Sequence, residues 1–149
     1  DAQGTWKRDE KGWWFEFKDG TYPAGKKSEN NSGEKPFWIW TGGRWWAFDS
    51  EGYLKTGWVF DGASGKWYLL NEKNGMQIGW HYDESGRFWY YLDPVSGAML
   101  TGWQLINGKW VEFAKFVIGP VCILDLLDFF YRADDGFAVD NAANSIDRQ

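Results

Sequence analysis

The sequence predicts an all-β fold, a solenoid of stacked β-hairpin repeats closed at its C-terminal end by a short helix or cap. Three observations lead there. Tryptophans 14, 45, 67, 89 and 110 recur, and from Trp45 onward the spacing is 22, 22 and 21 residues. Runs of Trp, Tyr and Phe, which favour strands, alternate with Gly, Asn, Asp and Ser clusters, which favour turns. Leu, Ile and Val are scarce before residue 100, whereas aromatic residues make up 21% of the chain and Trp alone numbers 13. A conventional aliphatic core is therefore excluded over the first two thirds, and the rings must pack between repeats or face a ligand.

The clearest copies of the repeat are Gly57-Trp58 with Gly65-Lys66-Trp67-Tyr68, Gly79-Trp80 with Gly86-Arg87-Phe88-Trp89-Tyr90, and Gly102-Trp103 with Gly108-Lys109-Trp110. An earlier copy runs Phe37-Trp38-Ile39-Trp40 into Gly43-Arg44-Trp45-Trp46, and a looser first copy joins Trp6 to Gly12-Trp13-Trp14-Phe15. The first gap, 31 residues, is longer than the rest, and the excess sits in residues 26–35, a polar stretch that reads as an inserted loop. Within copies, Asn107-Gly108 and Ala63-Ser64-Gly65 mark hairpin turns. Between copies lie Asp49-Ser50-Glu51-Gly52, Glu72-Lys73-Asn74-Gly75 and Asp93-Pro94-Val95-Ser96-Gly97. A lone hairpin is marginal in water, so the units must stack to bury their faces. The domain division expected is an array of about five repeats over 1–113 and a separate cap or tail over 114–149.

The last segment differs in kind. Residues 114–131 are aliphatic and nearly uncharged. Pro120 opens a helix on which Asp125, Asp128 and Arg132 form one polar stripe, with Gly136 as its stop. A strand continuation over 117–124 is the competing reading. A solenoid needs its open end covered, so the segment is read as a cap or as a self-association element through which the chain forms a homodimer.

Charge and motif content exclude much else. The formal net charge is −5 and no stretch clusters Lys and Arg, which argues against nucleic acid as partner. The most apolar run, 116–131, is too short and, with Asp125 and Asp128, too charged to span a membrane. Cys122 is the sole cysteine, so neither an internal disulfide nor a thiolate zinc site is available. Around Asp134-Asp135-Gly136 the calcium-loop frame puts Tyr131, Ala133 and Ala142 at ligand positions, and the motif fails. His81 has no nucleophile motif beside it, and Asp49, Glu51, Asp83, Glu84 and Asp93 fall in or beside turns, where carboxylates are expected anyway. The expectation is no enzyme, no cofactor and no metal. Beginning at Asp1, the sequence reads as a processed chain or an excised fragment.

The stretch Ser96-Gly97-Ala98-Met99-Leu100-Thr101-Gly102-Trp103, running on through Asn107-Gly108-Lys109-Trp110, resembles the choline-binding repeats of Gram-positive surface proteins, lysins and some clostridial toxins. The resemblance covers residues 4–113 and is specific from Phe37 onward. It implies a solenoid of hairpins secreted to the cell wall or surface. Its ligand would be choline on teichoic-type or other wall polymers, held in boxes walled by two Trp of one repeat and an aromatic of the next. Carried over residue by residue, the boxes are Trp58, Trp67 and Tyr90, then Trp38, Trp45 and Tyr68, then Trp80 and Trp89, where Val111 stands in place of the aromatic. The first repeat would pair Trp6 and Trp14 with Trp46. Leu54, Met76 and Met99 occupy the linker position that helps close such a cavity.

The chemistry of the rings fits that reading. A quaternary ammonium donates no hydrogen bonds, is weakly hydrated and is drawn to electron-rich ring faces, a term on the order of 2 kcal/mol when desolvated. One box then sits near millimolar affinity, about −4 kcal/mol. Several boxes on one polymer multiply this by roughly 10² to 10⁴. Two other readings stand beside it: the same Trp boxes suit the rings of a glucan-type glycan, or all the aromatics are core of a structural spacer. Because side chains alternate faces along a strand, about half of the rings are inter-hairpin core on any reading.

Overall fold

The computed structural model describes residues 1–84 and 86–113, and beyond them the backbone of 117–118 and 121–122. The described residues contain strands and turns and no helix. Two compact units divide at Gln77/Ile78. The first holds hairpin 1, β1 (Gly4–Arg8) with β2 (Trp13–Phe17), hairpin 2, β3 (Phe37–Thr41) with β4 (Arg44–Phe48), and hairpin 3, β5 (Gly57–Asp61) with β6 (Lys66–Asn71). A short strand β7 (Gly75–Met76) adds to β6. The second unit holds hairpin 4, β8 (Gly79–Asp83) with β9 (Phe88–Leu92), and hairpin 5, β10 (Gly102–Ile106) with β11 (Lys109–Phe113). The short antiparallel pair β12 (Val117–Ile118) and β13 (Val121–Cys122) follows, within the stretch that the competing strand reading covers. The helix expected to open at Pro120 does not start there, since Val121–Cys122 is strand; the rest of it, through Arg132, and the dimer surface with it lie outside the described residues. Each unit is a stack of hairpins, the building block of the expected solenoid.

Turn chemistry sets the register. Gly42-Gly43 and Asn107-Gly108 close two-residue loops with both residues at positive φ, 62° and 75° in one and 50° and 80° in the other. That is the loop whose twist matches antiparallel strands. The glycine that opens the first strand of hairpins 3, 4 and 5 is also left-handed, with φ of 76° at Gly57, 78° at Gly79 and 71° at Gly102. This is why Gly precedes the first-strand Trp in those copies. Between hairpins a carboxylate or amide caps the turn: Asp49 Oδ1 accepts from the Glu51 and Tyr53 amides, and Asp93 Oδ1 from those of Val95 and Ser96. Each chain then returns to pair once more with its own hairpin, Leu54 with Phe48, Met76 with Leu70 and Met99 with Leu92. The three linker residues thus occupy one structural position.

Register and alternation give each hairpin two faces. One, the indole face, carries the first- and second-strand tryptophans: Trp38 and Trp45 in hairpin 2, Trp58 and Trp67 in hairpin 3, Trp80 and Trp89 in hairpin 4. The other, the reverse face, carries Ile39, Trp46 and Phe48, then Val59, Tyr68 and Leu70, then Tyr90 and Leu92. Stacking is indole face on reverse face: Ala47 and Trp38 of hairpin 2 pack with Val59, Tyr68 and Leu70 of hairpin 3. In the second unit, Tyr91 of hairpin 4 packs with Ile106, Val111 and Phe113 of hairpin 5.

Hairpin 1 breaks the rule. Its reverse face, with Trp6 and Phe15, packs on the reverse face of hairpin 2, where Phe15, Ile39, Trp46 and Phe48 form one buried cluster. Its own indole face is turned outward and is polar: Lys7 pairs with Glu16 at 3.0 Å and lies 5.5 Å from the centre of the Trp14 ring. Such a reversal needs extra chain, and residues 18–36 supply it. The inserted segment folds back on itself through paired Lys26 and Lys35 amides and carbonyls, and Glu34 forms an ion pair with Lys55. Its Gly33 lies so close to Gly62 of hairpin 3 that a Cβ on Gly62 would come within 2.3 Å of the Gly33 carbonyl oxygen.

Hairpin 1 is tied down by Tyr53, whose hydroxyl donates to Asp9 Oδ2 at 2.7 Å. That bond, with the Lys11 and Gly12 amides, holds the Asp9 carboxyl below its ordinary range and pushes the Tyr53 phenol up to about 12. A lowered carboxylate stabilises above its unfolded pKa and stops doing so as pH falls through the folded value; a raised phenol stabilises below 10 and stops as pH rises through about 12. Tyr53→Phe is therefore expected to lower the melting temperature slightly at neutral pH. The difference from wild type should close both in acid below the carboxylate range and above about pH 12. Scanning calorimetry of both proteins across pH measures it.

Candidate functional site

The indole faces carry rings that are only partly covered. In the first unit Trp38 meets Tyr68 of the next hairpin edge to face, with centroids 5.0 Å apart and planes at 67°. On the same face Trp45 meets Trp40 at 5.4 Å and 64°, and both remain about 40% exposed. Tyr68 is held from behind by its hydroxyl, 3.2 Å from Ser64 Oγ. The three residues Trp38, Trp45 and Tyr68 thus belong to one inter-hairpin surface, with Trp40 as a fourth ring. Trp58 and Trp67 share the indole face of hairpin 3, where Trp67 leans on Phe60 at 5.2 Å. Tyr90 belongs to the second unit and is buried on the reverse face of hairpin 4.

In that unit Trp80 is the centre of a denser group. It meets Trp89 at 6.0 Å, Tyr91 at 4.9 Å and Phe113 of the next hairpin at 5.6 Å, while Trp89 leans on Tyr82 at 5.3 Å. Val111, the residue expected to leave this box short of a ring, is 1% exposed and belongs to the core with Ile106 and Phe113. Phe113, two residues further along the same strand face, brings the ring to Trp80.

A ring-lined hollow that the repeat pattern did not indicate lies in the first unit. Trp6, Trp13, Trp46, Leu54, Glu72 and Lys73 line an open hollow of about 560 Å³. Trp6 and Trp46 meet there at 5.0 Å and 71°. The expected partner Trp14 is absent from its lining. Trp6 pairs in register with Phe15, which puts Trp13 on the same face and Trp14 on the other, where Trp14 packs against Tyr22 at 6.0 Å. The signal that would have found this was Gly4. Its register partner Phe17 corresponds to Leu70 opposite Gly57, so Thr5, not Trp6, holds the repeat's first Trp position. Glu72 accepts from Trp13 Nε1, and the Arg8 guanidinium stands 5.4 Å from the Trp13 ring centre. Leu54 enters from the linker that its bridge to Phe48 fixes.

Chemically these surfaces present π faces and few charges. Among the described residues no three His, Cys, Asp or Glu side chains gather as a metal site, and no helix is long and apolar enough to cross a membrane. The arrangement defines a hairpin-repeat protein whose inter-repeat rings leave partly exposed π faces. No protein-family model matches the chain, and no curated protein matches it. Among solved structures it is similar to the multimodular pneumococcal cell-wall endolysin from phage Cp-1 complexed with choline. Identity is 40% and the TM-score 0.54 over 75% of this chain and 29% of the endolysin. The Cpl-1 endolysin complexed with a peptidoglycan analogue matches with the same figures. Choline-binding protein F of Streptococcus pneumoniae matches at 32% identity and TM-score 0.48, over 76% of this chain and 40% of that one. The repeats of this chain belong to the choline-binding repeat family.

The core role of Val111 carries a test. A tyrosine there has to enter a packed cluster, and Val111→Tyr is expected to cost about 1–3 kcal/mol of stability. Urea unfolding followed by tryptophan fluorescence reads it; a variant as stable as wild type would show that the position has room for a ring.

Proposed function

We propose that this chain is a non-catalytic, surface-located wall-binding module that recognises choline residues on teichoic-type polymers through aromatic boxes between its hairpins. The chain spans 29% of the endolysin it resembles. The observation that carries the reading is the recurrence of half-exposed indoles beside a ring of the following hairpin. It is seen at Trp38, Trp45 and Tyr68 and again at Trp80, Trp89 and Phe113, on repeats 40% identical over the matched region to those of a choline-complexed protein. Trp58 and Trp67 supply the same pair on hairpin 3, and the family pattern adds Tyr90 to them. A trimethylammonium group placed against such rings gains the cation–π attraction without losing hydrogen bonds to water.

The deciding measurement is retention on a quaternary-amine or choline resin, with elution by free choline. Elution by salt alone indicates ion exchange of an acidic protein, and retention on dextran indifferent to choline supports the glucan-type alternative. Tyr90→Leu keeps apolar bulk and deletes the π face. It is expected to weaken choline binding several-fold in calorimetric titration and to leave ligand-free unfolding within a few degrees. Wild-type affinity in that variant removes Tyr90 from the ligand surface.

A further inference from the structure

The hollow beside hairpin 1 differs from the repeat boxes in two respects. Its rings stand at other positions of the repeat: Trp6 matches Ile39 and Val59 in register, and Trp13 matches Arg44 and Lys66. It exists because hairpin 1 is turned over, so reverse-face rings of two hairpins meet where elsewhere a reverse face meets an indole face. It also carries a carboxylate. Glu72, from the turn after hairpin 3, accepts the Trp13 Nε1 proton at 2.5 Å and so reaches the ring edge at the hollow itself.

The geometry points to a second kind of ligand site in this module, a hollow formed by Trp6, Trp13, Trp46, Leu54 and Glu72 that takes a small quaternary ammonium group by ring faces and a carboxylate together. The inference rests on the choline reading and adds a site with its own selectivity. Three indoles with an aliphatic wall would accept a neutral ring or a cation alike; the carboxylate favours the cation, because its charge is attractive to one and indifferent to the other. Two cations also stand nearby, Lys73 in the lining and Arg8 over the Trp13 ring. Lys73 is exposed, and its long stem allows the ammonium to reach water. Arg8 stands over the Trp13 ring and, with Glu72 at the indole nitrogen, fixes that ring in place. Leu54 is held by its bridge to Phe48, and Trp46 is buried with its Nε1 donating to the Thr41 carbonyl at 3.1 Å. Three of the walls are thus set before a ligand arrives, which lowers the ordering cost of binding.

Nitrogen-15 spectra of the indole N–H groups in the full chain test this site by site, with Trp13→Phe assigning the Trp13 signal. Choline is expected to shift the Trp13 signal saturably. In Glu72→Gln, which keeps the acceptor and removes the charge, the midpoint read at Trp13 should rise roughly two- to five-fold. Midpoints read at the other titrating indoles should stay put. The neutral carbon isostere of choline should bind the hollow more weakly than choline in wild type, and that preference should shrink in Glu72→Gln. A Trp13 signal unmoved by choline while other indoles titrate overturns the site and leaves the repeat boxes standing. A Glu72→Gln midpoint equal to wild type overturns it too, since the carboxylate then contributes nothing. If no indole titrates, the choline reading falls and this site with it.

Discussion

A two-stranded hairpin has two faces and no interior, and everything else in this molecule follows from that. Strands of five or six residues cannot bury a ring against themselves, so each hairpin borrows the face of its neighbour. Rings suit the task because one indole or phenol spans the gap between two thin layers and still leaves an edge or a face at the rim. Among strand residues, the larger side chains that close completely, Phe15, Phe48, Leu70, Leu92, Val59 and Val111, lie on reverse faces. The tryptophans of the indole faces stay partly open. The closed core and the more open ring surface are therefore largely two sides of the same layer, and a residue's burial depends on which way its strand turns it.

On the choline reading, this division keeps the binding chemistry of the repeat boxes spare. A site made of ring faces needs no titratable group, no metal and no hydrogen-bond network to function, only rings held at fixed angles. Angles near 60–90° recur among the ring pairs, as in Trp38 with Tyr68, Trp40 with Trp45 and Trp80 with Trp89. Edge-to-face contact of this kind satisfies the ring quadrupoles of the pair and leaves a ring face for a third party. The backbone carries the precision: left-handed Gly57, Gly79 and Gly102 start their strands in one conformation, and Leu54, Met76 and Met99 close each unit in the same way.

Much of this was legible in the sequence because it is local or periodic. The hairpins, the Asn107-Gly108 turn, the linker position of Met76 and Met99 and the faces of the regular repeats all follow from a period of two within a period near 22. What escaped depends on contacts between distant segments or on an anchor misread by one residue. Taking Trp6 for the repeat's first Trp put Trp14 beside it; strand alternation puts Trp13 there. Val111 holds the repeat position expected for a ring, and the ring comes instead from Phe113, two residues on along the same strand face. The reversal of hairpin 1 is written only in the meeting of Trp6 and Phe15 with Trp46 and Phe48, and the carboxylate at Trp13 comes from a turn 59 residues away. No spacing rule contains either.

The turned-over hairpin gives the stack a direction. Within a unit, regular repeats join like stair treads, one offering an indole face to the reverse face of the next, and a series of that kind can in principle grow by duplication at both ends. Here the reverse face of hairpin 2, the face a preceding tread would need, is already covered, and the surface then presented outward is a salt-bridged one of Lys7, Glu16 and Trp14. A duplicated repeat inserted ahead of hairpin 2 would have to displace hairpin 1 before it found a face to lie on. Lengthening of the array in evolution is thereby channelled to positions after hairpin 2, and copies of the protein are denied that face as a place to join end to end.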